Sequence, residues 1–218
     1  MPSLRRLPFA CLALLGCGSP PEKPAAPLPP PLLSAQPPVP PASLAGAAWG
    51  TFHSERFELQ LPLPDGRAWH IDDHGGPWLT ATHAASQSML VARTWTEDGR
   101  VSRQRCEERA RLWRTFPDPS RAEEVNARSI EAPAGFDTFV SVGVLPGKQD
   151  GVVSGFAVAF GGHAHRCFAW VYTTAASGAG AGPVLGERLA TMVERSLGRV
   201  VIESELTPRI PREEPGGR

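Results

Sequence analysis

Two histidine clusters carry the side chains best suited to metal chemistry in this chain. One is His70-Ile71-Asp72-Asp73-His74, and the other is His163-Ala164-His165. Imidazole and carboxylate are ligands for zinc and similar ions. On an extended strand His163 and His165 would project to one side, as a chelating pair requires. If the turns carrying both clusters met at one end of a sheet, His70, Asp72, His74, His163 and His165 could share one ion. A metal-binding protein or a metal-dependent hydrolase would follow. The spacing fixes no ligand geometry, however, and neither His-Glu-x-x-His nor Cys-x-x-Cys occurs. A solvated loop end is the simpler account of both clusters.

Other chemistry is sparse. Ser86 and Ser88 fall in a predicted hairpin loop, and neither lies in a Gly-x-Ser-x-Gly elbow. His83 alternates with Leu79 and Ala81 and reads as a strand histidine. Glu107-Glu108 and Glu123-Glu124 read as solvated helix faces. The glycines of residues 175–182 do not form a phosphate loop. No catalytic residue and no cofactor is therefore expected, and the chain is not expected to be an enzyme.

The N-terminus is more informative. Arg5 and Arg6 precede the apolar segment 7–15, and small Gly16 stands directly before Cys17. That order fits an export signal. The apolar segment falls short of the roughly 20 residues a membrane helix needs. Leu14-Leu15-Gly16-Cys17 resembles the lipobox of bacterial lipoproteins. The resemblance implies removal of residues 1–16 and acylation of Cys17, which would tether the chain to membrane lipid. Two or more acyl chains hold a protein stably at a membrane. Gly18, where inner-membrane lipoproteins of enterobacteria carry Asp, favours the outer membrane, facing the periplasm or the cell surface.

Export changes the reading of the other cysteines. Cys11 leaves with the signal and Cys17 is lipidated. Cys106 and Cys167 then form an even pair in an oxidising compartment, and a disulfide between them is expected.

Residues 17–49 hold eleven prolines between Pro20 and Pro41. Proline lacks a backbone N–H, so neither helix nor sheet propagates there. An extended spacer reaching roughly 70 Å is expected. Residues 205–218 read as a polar tail, which leaves 50–204 for one domain. The 22 basic and 22 acidic residues form no evident basic patch, so no nucleic-acid partner is expected.

The elements that must position these residues follow from periodicity. Phe57-Glu58-Leu59-Gln60-Leu61-Pro62-Leu63 alternates as a half-buried strand, and Pro62 argues for an edge or a strand end. A second strand is predicted over 67–71. Residues 78–84 and 89–95 predict a hairpin. A helix over 101–116, capped by Ser102, places Cys106, Ala110 and Trp113 on one inward face. Ser120-Arg121-Ala122-Glu123 predicts a short second helix to about Ala127. Strands are predicted over 139–145, 152–160 and 166–174, with Gly161-Gly162-His163 in the last turn. A closing helix is predicted over 184–197, followed by a final edge strand at 200–202. Trp69, Trp78, Trp95, Trp113 and Trp170 are expected mostly in the core, with Trp78, at a strand start after Pro77, as a candidate exposed anchor for a partner.

This order is α+β, with a mostly antiparallel sheet flanked by helices. It resembles the PsbP-like α/β/α sandwich in its opening Phe-Glu-Leu-Gln-Leu-Pro strand, its helix after the fourth strand and its closing Val193-Glu194-Arg195-Ser196-Leu197 helix. The resemblance covers about residues 51–200. It brings no shared catalytic set and implies an adaptor or assembly role. The expected function is thus a non-catalytic, lipid-anchored envelope module that binds a protein partner.

Overall fold

The computed structural model describes residues 43–145 and 152–203, all within one compact unit. The signal, Cys17, most of the proline-rich segment and the C-terminal tail lie outside the described residues. The fold is α+β and its sheets are antiparallel. Strands β3 (Trp69–Asp72), β4 (Leu79–His83), β5 (Ser88–Thr96), β6 (Glu124–Ile130), β7 (Asp137–Leu145), β8 (Val152–His163) and β9 (Arg166–Ser177) form a seven-stranded sheet. Its order is β3-β4-β5-β9-β8-β7-β6. Strands β1 (Trp49–Ser54), β2 (Leu59–Pro64) and β10 (Val201–Ile202) form a small sheet centred on β2.

Helix α1 (Arg103–Trp113) lies on one face of the large sheet. Ser102 caps it by accepting the Arg105 N–H, as its sequence predicts. Cys106 and Ala110 are fully buried, and the Cys106–Cys167 disulfide pins α1 to β9. Gly162 lies opposite Cys167, and a Cβ there would meet the α1 N-terminal backbone at 3.0 Å. Its missing side chain lets the helix sit close.

Helix α2 (Ala181–Thr191) packs on β8 and β9 from the opposite face. Gly155 makes room, because a Cβ would lie 2.8 Å from Leu189 Cδ1. The small sheet sits beside α2 and buries Leu59, Leu61 and Leu63 with Leu79, Leu90 and Trp170. Leu44 belongs to this core, and its N–H donates to Glu187 of α2, so packing reaches back beyond Gly50.

Each face therefore has one covered wing and one bare wing. On the α2 face the bare wing is β6–β7. On the α1 face it is β3–β4, while Val91 of β5 is buried with Trp78, Ala110 and Phe116.

Several expectations fail for identifiable reasons. The predicted second helix is a single 3₁₀ turn, Pro119–Arg121, followed by β6. Pairing of all seven β6 residues with β7 overrides the local capping signal. Gly161 and Gly162 are strand residues, and the β8–β9 turn is Ala164-His165. Pro62 sits in a central strand, tolerated because β10 pairs only with Leu59 and Gln60. The final strand is an edge strand, as expected, and it joins β2 of the small sheet. Trp113 is 40% exposed at the helix end, and Trp78 is buried edge-on against Phe116.

Candidate functional site

Strand register separates the two histidine clusters. His70 aligns across the sheet with Thr82, Met89, Thr173 and Phe156. His163 lies on β8 seven residues beyond Phe156, which at roughly 3.3 Å per residue is more than 20 Å along the sheet. Four strand spacings also intervene. The faces differ as well. His70 and Asp72 share rows with Met89 and Val91 on the α1 face, whereas His163 packs on Phe136 in the α2-face core. His165 occupies the hairpin turn, so it does not project as a strand partner of His163. The shared metal site of His70, Asp72, His74, His163 and His165 is thereby corrected. Among the described residues no group of three or more His, Cys, Asp or Glu side chains could hold a metal.

The first cluster has a local job instead. Asp72 Oδ1 accepts the backbone N–H groups of Gly75 at 2.7 Å and His74 at 3.0 Å. His74 pairs with Asp73, whose other oxygen accepts from Ser54 Oγ at 3.0 Å. The Gly75 amide first, and then the His74 amide, hold the Asp72 carboxyl below its ordinary pKa. With the folded value depressed, this support is present above the unfolded pKa near 4 and is lost as pH falls through the folded value. Asp72→Ala is expected to speed hydrogen exchange at His74 and Gly75 with little change in global stability. Unchanged exchange would contradict this role.

The structure assembles a polar chain that periodicity did not reveal. His83 is 3% exposed, stacks on Trp69 and places Nδ1 2.7 Å from Ser86 Oγ. Ser86 Oγ donates to Ser88 Oγ, which lies 2.8 Å from the Tyr172 hydroxyl and 3.0 Å from Thr174 Oγ1. Arg188 of α2 closes the chain by donating to Ser86 O, Ala175 O and Thr174 Oγ1. Burial pushes the Tyr172 phenol up.

With Asp65 Oδ2 3.8 Å from His83 Nε2, the set superficially matches an acid–base–nucleophile series. Ser86 is 1% exposed, however, and its hydroxyl sits inside the chain, out of a substrate's reach. The network fixes the β4–β5 connection under α2. Its sequence signal was the density of Ser, Thr and Tyr in strands that meet only in three dimensions.

The bare β6–β7 wing forms a cavity. It is a groove of about 440 Å³ between α2 and the outer sheet. Val140, Val142 and Val144 make its floor, and Leu189 and Val193 make its wall. Alternation along β7 turns these valines to one face. Asn126 and Arg128 of β6 stand on the outer rim, opposite Glu194. Strand β6 is an edge strand, paired only with β7. The groove thus joins a row of apolar contacts to an open edge of backbone donors and acceptors.

No family model matches the chain, and no curated protein matches it. Among the solved structures that resemble the chain are two distant likenesses. One is a Bacteroides thetaiotaomicron protein, 11% identical, with TM-score 0.45 over 71% of this chain and 48% of that one. The chain thus spans about half that protein's length. The other is LpqN, involved in cell envelope biogenesis in Mycobacterium tuberculosis. It is 11% identical, with TM-score 0.41 over 76% of this chain and 100% of that one. Likenesses this distant carry no argument about function.

Proposed function

We propose that this chain is a lipid-anchored cell-envelope module that binds an extended apolar segment of a partner protein without catalysing a reaction. The observation that carries the reading is the valine-floored groove beside the free β6 edge. An extended segment can add a strand to such an edge while alternate side chains enter the groove. The groove's volume lies within the range of ordinary ligand pockets. The sealed Ser86 hydroxyl and the divergent histidines supply no catalytic set. The lipobox-like Leu14-Leu15-Gly16-Cys17 supports acylation at Cys17, and the Cys106–Cys167 disulfide suits an oxidising compartment. The placement of α1 and α2 on opposite faces supports a PsbP-like assignment, with the small sheet as an addition. Among the described residues no helix is long and apolar enough to cross a membrane.

Two measurements test the two halves of this proposal. Intact mass of the membrane-extracted protein should give a chain beginning at an acylated Cys17. An unmodified thiol there would remove the anchor. Ala190 is exposed on the groove's helical wall, so Ala190→Arg fills the groove without burying a charge. It should leave the melting temperature nearly unchanged and abolish partner binding. Retained binding would rule out the groove.

A further inference from the structure

Beside the C-terminal end of α1, among the described residues, one cation faces no anion. Arg93 of β5 lies between two indoles, with its guanidinium carbon 4.2 Å from the Trp113 ring centre and 5.7 Å from that of Trp78. Its Nε is buried without a hydrogen-bond partner. Among the described residues Arg93 makes neither a hydrogen bond nor an ion pair. Cation–π attraction offsets part of its lost hydration, but the planar fork of N–H donors stays unused.

The carboxylates at the ends of β3 and β5 are committed elsewhere. Glu97 is held by Arg109 Nε at 3.0 Å and by Trp95 Nε1 at 3.1 Å. Asp72 is held by the amides of its own loop, and Asp73 by His74 and Ser54. The other charge acting on Arg93 is that of Arg56, also a cation. Burial first, and then Arg56, lower the Arg93 pKa. An incoming anion would counter the Arg56 charge and pair the guanidinium that burial leaves short of water.

The surroundings are apolar. Trp113 packs edge-on to Trp95 with ring centres 5.1 Å apart. Leu112, next to it on α1, is 77% exposed, and Met89 borders the same surface. Tryptophan, methionine and a half-buried arginine are residues enriched in protein-docking hot spots.

We propose that Arg93, held between Trp78 and Trp113, is the centre of a second docking site, which takes an acidic side chain carried in an apolar stretch of a partner protein. The free charge asks for a carboxylate, and Leu112, Trp113 and Trp95 ask for apolar neighbours on either side of it. A bare phosphate would satisfy the guanidinium and leave Trp113 and Leu112 uncovered.

The test uses the full chain, ¹⁵N-labelled in micelles, titrated with acetyl-Leu-Glu-Phe-Leu-amide and with its Gln counterpart. The Glu peptide should bind at least tenfold more tightly, move the Arg93 Nε–Hε resonance and weaken as salt rises. Arg93→Met should erase the preference for Glu over Gln. Arg93→Lys should keep a reduced preference, which separates lost charge from lost fold. Ala190→Arg should leave the preference intact, because it blocks only the groove on the other face. Equal binding of the two peptides, a preference that survives Arg93→Met, or an Arg93 resonance unmoved at millimolar peptide would overturn the proposal. So would inorganic phosphate or phosphatidylglycerol vesicles displacing the Glu peptide at equal anion concentration.

Discussion

Loss of the Cys106–Cys167 bond is expected to remove about 4 kcal/mol of stability, the value for a loop closed over 61 residues in the chain-entropy model. Small domains have only about 5–15 kcal/mol in total, so this single bond decides whether the fold persists under stress. The bond also ties α1 to the middle of the sheet. Both sulfurs are fully buried, and α1 brings few other apolar side chains to the sheet beyond Ala110. Urea unfolding of the protein with and without a thiol reductant, and of Cys106→Ala/Cys167→Ala, measures the effect. A large fall in the midpoint is expected in both comparisons. A change below about 1 kcal/mol would mean that packing alone holds α1.

Arg188→Met is expected to cost about 3 kcal/mol, although it keeps the apolar stem. Arg188 is 1% exposed, and its Nη1 reaches Ser86 O at 2.8 Å, Ala175 O at 2.9 Å and Thr174 Oγ1 at 3.1 Å. Removing it strips a donor from three acceptors beneath α2, where water does not enter freely. Removal of a partner from buried polar groups leaves their desolvation uncompensated. Combining Arg188→Met with Thr174→Val should cost less than the two single changes summed, because both act on one hydrogen bond. Full additivity in urea unfolding would contradict a shared network.

Legibility in the sequence follows the range of the interactions. The α1 cap at Ser102, the β4–β5 hairpin and the apolar runs of β7, β8 and β9 are local signals, and they were readable. The disulfide was readable from cysteine parity once export was inferred. Strand β6 was not, since Ser120-Arg121-Ala122-Glu123 satisfies a helix cap locally while β7 supplies the stronger pairing partner. Strand β1 was missed because Trp49-Gly50-Thr51-Phe52-His53-Ser54 shows no clean alternation. Its role depends on β2, which in turn covers β4 and β5.

The functional surfaces were less legible still. The metal expectation assumed that two turns met, and the register places His70 and His163 on opposite faces. Val140 belongs to the core, and Val142 and Val144 beside it line a groove because α2 covers β8 and β9. Trp78 was a candidate exposed anchor, with the core as its other reading. It is buried, and the residue it supports is Arg93. Which face stays bare depends on how far a helix reaches, and residue periodicity does not record that.

The most direct test of groove binding is photo-crosslinking in intact cells from a benzophenone amino acid at Asn126, on the groove rim. Partner binding along β6 predicts a discrete covalent adduct with another envelope protein that disappears when Ala190→Arg is added. No adduct, or an adduct indifferent to Ala190→Arg, would contradict it.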